Sequence, residues 1–588
     1  MDGNNLKVCF NGKDKRLFVI IFYVLTFAII TICLIHRCKF TLSATSGDEL
    51  SQSATVVRYL YGDRPILDNW TASTMFSAFV MGKICKLLGI YKLPVLTARY
   101  LYVLYQVFIA IAIVILAPRK NMTSLWASLG YLCSTPYNIN RITYNTLSIG
   151  FFILFGVLFF EGLYPDDNLD SENSIRCRTR VLFSGVVFAL SVLSIPHNAL
   201  LYFAYVVVVV LLVIRRKKAV GIFSINRLLF LTLGILLVAI PFIVYLLVNG
   251  TVSEYANNLQ FILSDAEYSK GLWVKFIESQ HRIVRIYWRV WVPLAVLDIF
   301  LFLFRNKNEK LLDLAFFLGN LVIIYGIVRF SFIYGSVSIN LAIPPILFLG
   351  IQSIVISSFK GKSCENGYDY KVCVEWLVAG YLFYICEYLA TDTEILSSSA
   401  ALICVVVPAL LLNYGSMTKI RENAVTKTAF YLTALSFVVC LFILRMTYVW
   451  GDEPISDLDV RVDSGMASGI YTSQDSADYF LNCEAIVASA DIDANDQALI
   501  LPMNPIYYYL LNAKCASPYI FRFEVSIEEL NNYYDLHPEK IPTVVVACKN
   551  DDSGNEYDID ECLEYFENMT DMGYYVYYNS DDAIVLKR

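Results

Sequence analysis

Asp48 and Glu49 are the residues in this chain best placed to do chemistry. They stand side by side in a short polar stretch, Thr45-Ser46-Gly47-Asp48-Glu49-Leu50, which opens the segment between the first two apolar runs. A carboxylate held at a membrane surface accepts a proton or positions a cation. Gly47 gives the backbone freedom to aim the side chain that follows it. A solvated acidic loop is the plain alternative, and the surroundings of the pair decide between the two. Polar groups do recur nearby: Tyr61-Gly62-Asp63-Arg64-Pro65, then Asp68, then Arg99 near the start of the second run. A later connection carries Asp265, Glu267, His281, Arg282 and Arg285. Arginine pairs a phosphate through a planar fork, which lysine lacks. Anchoring at the membrane interface also accounts for Arg99, His281 and the arginines beside it.

The elements that must position these groups are apolar. The chain has 588 residues, 57% hydrophobic, 15% aromatic and 17% charged, with a mean hydropathy of +0.55. That composition excludes an ordinary soluble enzyme and points to a polytopic membrane protein. Leu17 to Ile35 is uncharged and long enough to span, and Lys7, Lys13, Lys15 and Arg16 precede it. The positive-inside rule then puts the N-terminus in the cytoplasm and the acidic pair outside. No cleavage site follows the run, so it stays as an anchor. Further apolar runs, from Val95–Leu116 to Thr428–Tyr448, bring the expected total to about thirteen spans. Basic clusters such as Arg119-Lys120 and Arg215-Arg216-Lys217-Lys218 fall on the cytoplasmic side of that arrangement. Phe76, Val80, Ile84, Leu87 and Leu88 recur at helical spacing, the pattern of a helix lying along the interface.

From Gly451 the composition turns acidic. Short β-rich runs at Ala498–Leu501, Thr543–Ala547, Tyr574–Tyr578 and Ile584–Leu586 alternate with helical stretches near Ser473–Ala488, Ile527–Tyr534 and Glu561–Met572. Such alternation predicts a small α/β domain that folds by itself. The expected organisation is a spanning part over residues 1–450, with its first outer loop at 37–94, and an extracytoplasmic α/β domain over 451–588. Most of the 15 cysteines sit in apolar runs as small apolar residues. Cys483, Cys515, Cys548 and Cys562 in the tail are free to pair in an oxidising compartment. The tail holds no GxGxxG, P-loop or metal-ligand spacing.

Taken together, an acidic pair past the first span, an interfacial helix, and Leu96-Thr97-Ala98-Arg99 opening the second span resemble the GT-C superfamily of polytopic glycosyltransferases. The similarity is to the branch of protein O-mannosyltransferases and lipid A aminoarabinose transferases. Ile142-Thr143-Tyr144-Asn145-Thr146-Leu147-Ser148, Leu193-Ser194-Ile195-Pro196-His197, Leu263-Ser264-Asp265-Ala266-Glu267 and Ser464-Gly465-Met466-Ala467-Ser468-Gly469-Ile470-Tyr471-Thr472 are similar to stretches in bacterial members. Glu267-Tyr268 departs from the Glu-His expected there, and the tail is unusually acidic.

The resemblance implies a multi-pass plasma-membrane enzyme that moves a hexosyl or pentosyl group from a polyprenyl-phosphate donor to a glycan, lipid or protein acceptor at the outer face. Asp48 would be the general base, with Glu49 orienting it or touching the sugar. Arg99 would hold the donor phosphate, helped by Arg64 or Arg282. Asp68, Tyr144, Asn145, Asp265, Glu267 and His281 would line the cavity. Beyond the lipid-linked sugar no cofactor is implied; a divalent metal is admitted but not indicated. Membrane lipids are implied partners and nucleic acid is not. A transporter or flippase is the competing class, and would call for paired half-repeats and ionisable groups at mid-span. A sensor or scaffold displaying the tail gives no reason for so elaborate a first loop.

Overall fold

The computed structural model describes residues 12–42, 47–70, 75–90, 93–116, 122–161, 175–215, 221–263, 271–304, 309–359, 370–389, 398–420, 423–449, 454–501, 504–520, 527–548 and 572–588. Among them, 10 helices are long and apolar enough to cross a membrane. Counting the bent pair Leu272–Ile286 and Trp288–Phe304 as one span raises this to 11. Met122–Cys133 and Tyr144–Glu161 form where spans were expected, but they are shorter, at 12 and 18 residues. Both bury their side chains in the helical core, through Ala127, Leu129 and Leu132 on one and Phe152 and Val157 on the other. A short helix survives at membrane depth because its neighbours shield it. The chain is a multi-pass helical membrane protein.

Four helices set up the site: α1 (Gly12–Arg37), α2 (Gly47–Leu60), α3 (Met75–Leu87) and α4 (Val95–Leu116). The loop between α1 and α4 is folded rather than free. α2 is buried all round, with Leu50, Ala54 and Val57 on one side and Val56, Tyr59 and Leu60 on the other. α3 packs on it through Ala78, Phe79 and Cys85. Gly82 allows that approach, since a Cβ there would lie 2.8 Å from the Tyr59 Cβ. Ile84, Leu87 and Leu88 are left exposed, as an interfacial helix requires.

Among its described residues the tail carries seven strands: β1 (Val460–Arg461), β2 (Tyr471–Thr472), β3 (Gln497–Leu501), β4 (Lys514–Cys515), β5 (Val544–Cys548), β6 (Tyr575–Asn579) and β7 (Ala583–Lys587). β1 and β2 form an antiparallel ribbon, and the others a sheet in the order β4-β3-β5-β7-β6. β3 runs parallel to β4 and β5, while β7 is antiparallel to β5 and β6. The expected runs thus become β3, β5, β6 and β7. Helices form at Gln474–Ser489 and Ile527–Leu536, whereas residues 561–571 lie outside the described residues. Cys483, Cys515 and Cys548 are buried free thiols, so the pairing open to them does not occur among the described residues; Cys562 lies outside.

The core of the tail is shared with the spanning part. Leu42, Leu50, Ala54, Val57 and Val95 share one apolar cluster with Ile470, Phe480, Ile500 and Val546 of the tail. Trp70 and Ile262 enter a second cluster with Leu499, Tyr533 and Val545. Backbone groups cross the same boundary. Thr41 N donates to Tyr471 O at 2.8 Å, Tyr471 N to Lys39 O at 2.7 Å, and Trp70 N to Pro518 O at 3.0 Å. Val95 N donates to Met466 O at 3.2 Å, inside the Ser464–Thr472 turn where Gly465 and Gly469 take φ of +72° and +85°. Stripped of the loop, the sheet would expose one wall of its own core.

Candidate active site at the tail side of the bundle

Glu49 sits in the first turn of α2, where the helix dipole favours a carboxylate. It is buried and clasped by Arg99 from the first turn of α4: Nε donates to Oε1 at 2.6 Å and Nη2 to Oε2 at 2.7 Å. The rest of that guanidinium binds the exit from α1. Nη1 donates to Cys38 O and Phe40 O at 2.8 and 3.0 Å, and Nη2 to Thr41 O at 2.7 Å. An arginine has five N–H donors, and all are engaged. The expected contact from Arg99 to a phosphate therefore has no donor left, and what Arg99 does is fix Glu49 against the loop. Burial alone would raise the Glu49 carboxyl; Arg99 outweighs it, with Arg141 and Arg37 adding, and holds it below its usual value.

Three further arginines surround the pair, and none was singled out from the sequence. Arg37 ends α1 and donates to Arg445 O and Tyr448 O, each at 3.0 Å, so it closes the last turn of the helix Ala424–Thr447. Arg445 lies in that last turn. Its Nη1 donates to Leu132 O at 2.7 Å, and its Nη2 to Gln106 Oε1 at 2.7 Å and Asn140 Oδ1 at 2.9 Å. It thereby pins the connection 134–143, in which Asn138 takes a φ of +62°, a conformation asparagine tolerates better than most residues. Arg141 follows, and only 3% of it is exposed. Its carbonyl accepts from Thr146 Oγ1 at 3.1 Å, yet its guanidinium has no hydrogen bond or ion pair among the described residues. Burial pulls that guanidinium down to about 10, against the pull of Glu49 and Tyr509 and with Arg99 adding to the fall. Tyr509, brought in by the tail helix Pro505–Leu510, donates to Leu93 O at 2.7 Å. A small cavity opens between Arg37, Glu49, Arg99, Asn138 and Asn140.

The remaining expected residues divide clearly. Asp48 is the second residue of α2, and its side chain lies outside the described residues, as do Asp265 and Glu267. Tyr144 and Asn145 are half-buried in the first turn of Tyr144–Glu161, a helix capped by Thr143, whose Oγ1 accepts from Thr146 N at 3.2 Å. His281 is exposed and Arg282 half-buried on the amphipathic helix Leu272–Ile286. The Ser148 of that same motif donates to Glu387 at 2.7 Å, a buried carboxylate that no cation pairs with among the described residues.

Arg64 and Asp68 are brought together, but in a different cluster. Arg64 Nε and Nη2 hold both carboxylate oxygens of Asp68, at 3.0 and 2.9 Å. Beside them Asp63 takes Arg58 Nε and Lys540 Nζ, each at 2.6 Å. Arg58 also donates to Pro518 O and Ser517 O of the tail, at 3.2 and 2.8 Å. Asp68, His537 and Glu539 place ligand atoms within 4.8 Å of one another, a spacing open to a metal ion. Arg64 already occupies it: it covers Asp68 and reaches Glu539 at 3.5 Å.

Two signals could have revealed the missed arginines. Arg445 stands inside an otherwise apolar span, where a charge marks function by default. Arg141 is a cation in a connection expected outside, against the positive-inside bias. Tyr509 had no such signal, because its position depends on how the tail docks.

No protein-family model and no curated protein sequence matches the chain. Among solved structures, ArnT from Cupriavidus metallidurans bound to undecaprenyl phosphate is similar over 96% of this chain and 97% of its own, with 11% identity and a TM-score of 0.41. The archaeal oligosaccharyltransferase AglB from Archaeoglobus fulgidus, in complex with an inhibitory peptide and a dolichol-phosphate, is similar over 90% of this chain and 70% of its own, with 10% identity and a TM-score of 0.41. ArnT, a lipid A aminoarabinose transferase, and AglB are members of the GT-C superfamily, the one the sequence resembles.

Proposed function

We propose that the chain transfers a sugar from a polyprenyl-phosphate donor to an acceptor at the outer face of the membrane, with Asp48 as general base. The observation that carries the reading is a charge imbalance. Four buried arginines, Arg37, Arg99, Arg141 and Arg445, gather at one end of the bundle around Glu49. Buried like charges are costly unless an anion joins them. A phosphate arriving with the sugar supplies that anion beside a carboxylate pair.

In the proposed step the Asp48 carboxylate takes the proton from the acceptor. The freed electron pair forms the new bond to the anomeric carbon as the bond from that carbon to the phosphate oxygen breaks. The phosphate leaves with its electron pair, already a stable anion. Attack opposite the leaving group inverts the anomeric centre. Glu49, locked by Arg99, orients the helix that carries Asp48. Tyr509 and the turn at Ser464–Thr472 make the tail part of the site, so acceptor selection falls to the tail.

The test is Asp48→Asn, which keeps the shape and removes the basic lone pair. Turnover in membranes of equal expression falls by about two to four orders of magnitude, the range for loss of a general base, while donor binding persists. Normal turnover in that variant defeats the reading.

A further inference from the structure

We infer that Arg141 is the residue that receives the phosphate, through a guanidinium without a partner among the described residues, in the place where Arg99 was expected to act. The lipid part of this rests on the function proposed above; the assignment to Arg141 rests on its own geometry.

The argument is one of elimination among buried cations. Arg99 has all five donors engaged, with Glu49 and three carbonyls. Arg37 and Arg445 are turned to the carbonyls and amides that close the helix end and pin the connection 134–143. Each of the three has a structural task that fixes its orientation. Arg141 has none: it is 3% exposed and unpartnered among the described residues, and it lies within electrostatic reach of Glu49, Arg99 and Tyr509.

Its backbone is nonetheless held firmly. Arg141 N donates to Ile139 O at 3.1 Å, Thr146 holds its carbonyl, and Arg445 holds the preceding Asn140. A locked backbone, buried in a net-positive surround and bearing an uncommitted fork, is a preorganised anion receptor. A phosphate monoester, with its several acceptor oxygens, matches that fork; a neutral sugar alone does not. Asp48 is the neighbour of Glu49 in sequence, and a pairing of Arg141 with Asp48 is the competing outcome.

The experiment titrates the full chain in detergent, by calorimetry, with a short-chain prenyl phosphate and separately with inorganic phosphate. Wild type binds the prenyl phosphate, and Arg141→Gln weakens it about ten- to a hundredfold, the range for a charge-assisted hydrogen bond. Arg141→Lys, which keeps the charge, falls between the two. Equal affinity in wild type and Arg141→Gln overturns the assignment and leaves Arg141 as the partner of Asp48. If Arg141→Gln is not recovered folded, Arg141→Lys decides: a loss of about threefold or more, reflecting the missing fork, supports the assignment, and unchanged affinity overturns it. Should inorganic phosphate bind in an Arg141-dependent way while prenyl phosphate does not, the lipid donor falls and the Arg141 site stands. Binding of neither by wild type overturns the site.

Discussion

Two buried charge clusters lie on the same side of this bundle and are built on opposite plans. In the first, Arg58, Lys540 and Arg64 meet Asp63, Asp68 and Glu539, and every charge has a counter-charge within 2.6 to 3.5 Å. In the second, Arg37, Arg99, Arg141 and Arg445 meet Glu49, and Arg141 is left with no partner among the described residues. The balanced cluster joins α2 and the loop to the tail. Arg37, Glu49 and Arg99 of the unbalanced one line a small cavity beside Asn138 and Asn140. Burying a charge is tolerated when its partner is supplied. One cluster carries its partners in the chain, and the other keeps a place for one that comes from outside. On the function proposed above, the first is architecture and the second is a site.

The largest change expected from breaking this contrast is in stability. Asp63→Ala strands Arg58 and Lys540 together, and loss of one partner from a buried pair costs about 3–5 kcal/mol. Thermal unfolding should fall accordingly, and limited proteolysis should cut the loop and the tail together, since they share a core. Unchanged stability would mean that the balanced cluster holds nothing.

In the unbalanced cluster the same kind of substitution should act differently. Glu49→Gln keeps an acceptor for Arg99 and removes the charge, at a cost of about 1–3 kcal/mol. The positive excess grows, so affinity for a prenyl phosphate is retained or improved. A loss of binding in that variant would return Glu49 to the role of a ligand contact.

Acid should loosen both clusters by one mechanism. Glu49 and Asp68 are held below their usual values; burial opposes this in each, but is outweighed by Arg99 in the first and Arg64 in the second. A carboxyl with a depressed folded pKa contributes stability that is present above its unfolded value, about 4, and lost as pH falls through the folded one. Thermal stability from this source should stay level from neutral pH to about 4.5 and decline below it. Decline beginning near pH 6 would contradict the pairing.

The smallest effect belongs to the edge of the balanced cluster. Glu539 is 56% exposed and 3.5 Å from Arg64, so Glu539→Gln should shift stability by no more than about 0.5 kcal/mol. Added divalent cations should leave the unfolding temperature unchanged, because Arg64 fills the place between Asp68 and Glu539. A stabilisation by metal that Glu539→Gln removes would make this a metal site.

The two clusters also differ in how far the sequence revealed them. The spans were legible because apolar runs of the right length state their own environment. Strands β3, β5, β6 and β7 were legible from short β-rich runs, and the pair Asp48-Glu49 from its place past the first span. Arg64 was expected to help hold the donor phosphate and Asp68 to line the cavity, whereas the fold pairs them with each other, because two such residues four apart look the same in sequence whether they bind a ligand or a neighbour. Arg99 misled in the same way: only coordinates show that its fork is full. Strand β4, of two residues, and the ribbon β1-β2 exist because the loop and β3 pair with them, which is a tertiary cause with no local signature. The unity of loop and tail was likewise hidden, since a composition break at Gly451 marks a change of environment and says nothing of what packs across it.

The central claim, that the unbalanced cluster waits for a lipid-borne phosphate, is tested most directly by the lipid that travels with the protein. Full-length wild type and Asp48→Asn are purified from membranes in mild detergent, and the extracted lipid is analysed by mass spectrometry. The account expects a polyprenyl-phosphate sugar in both, enriched in Asp48→Asn because that variant binds the donor without consuming it. Absence of any prenyl phosphate from both preparations, with ordinary phospholipids present, would contradict it.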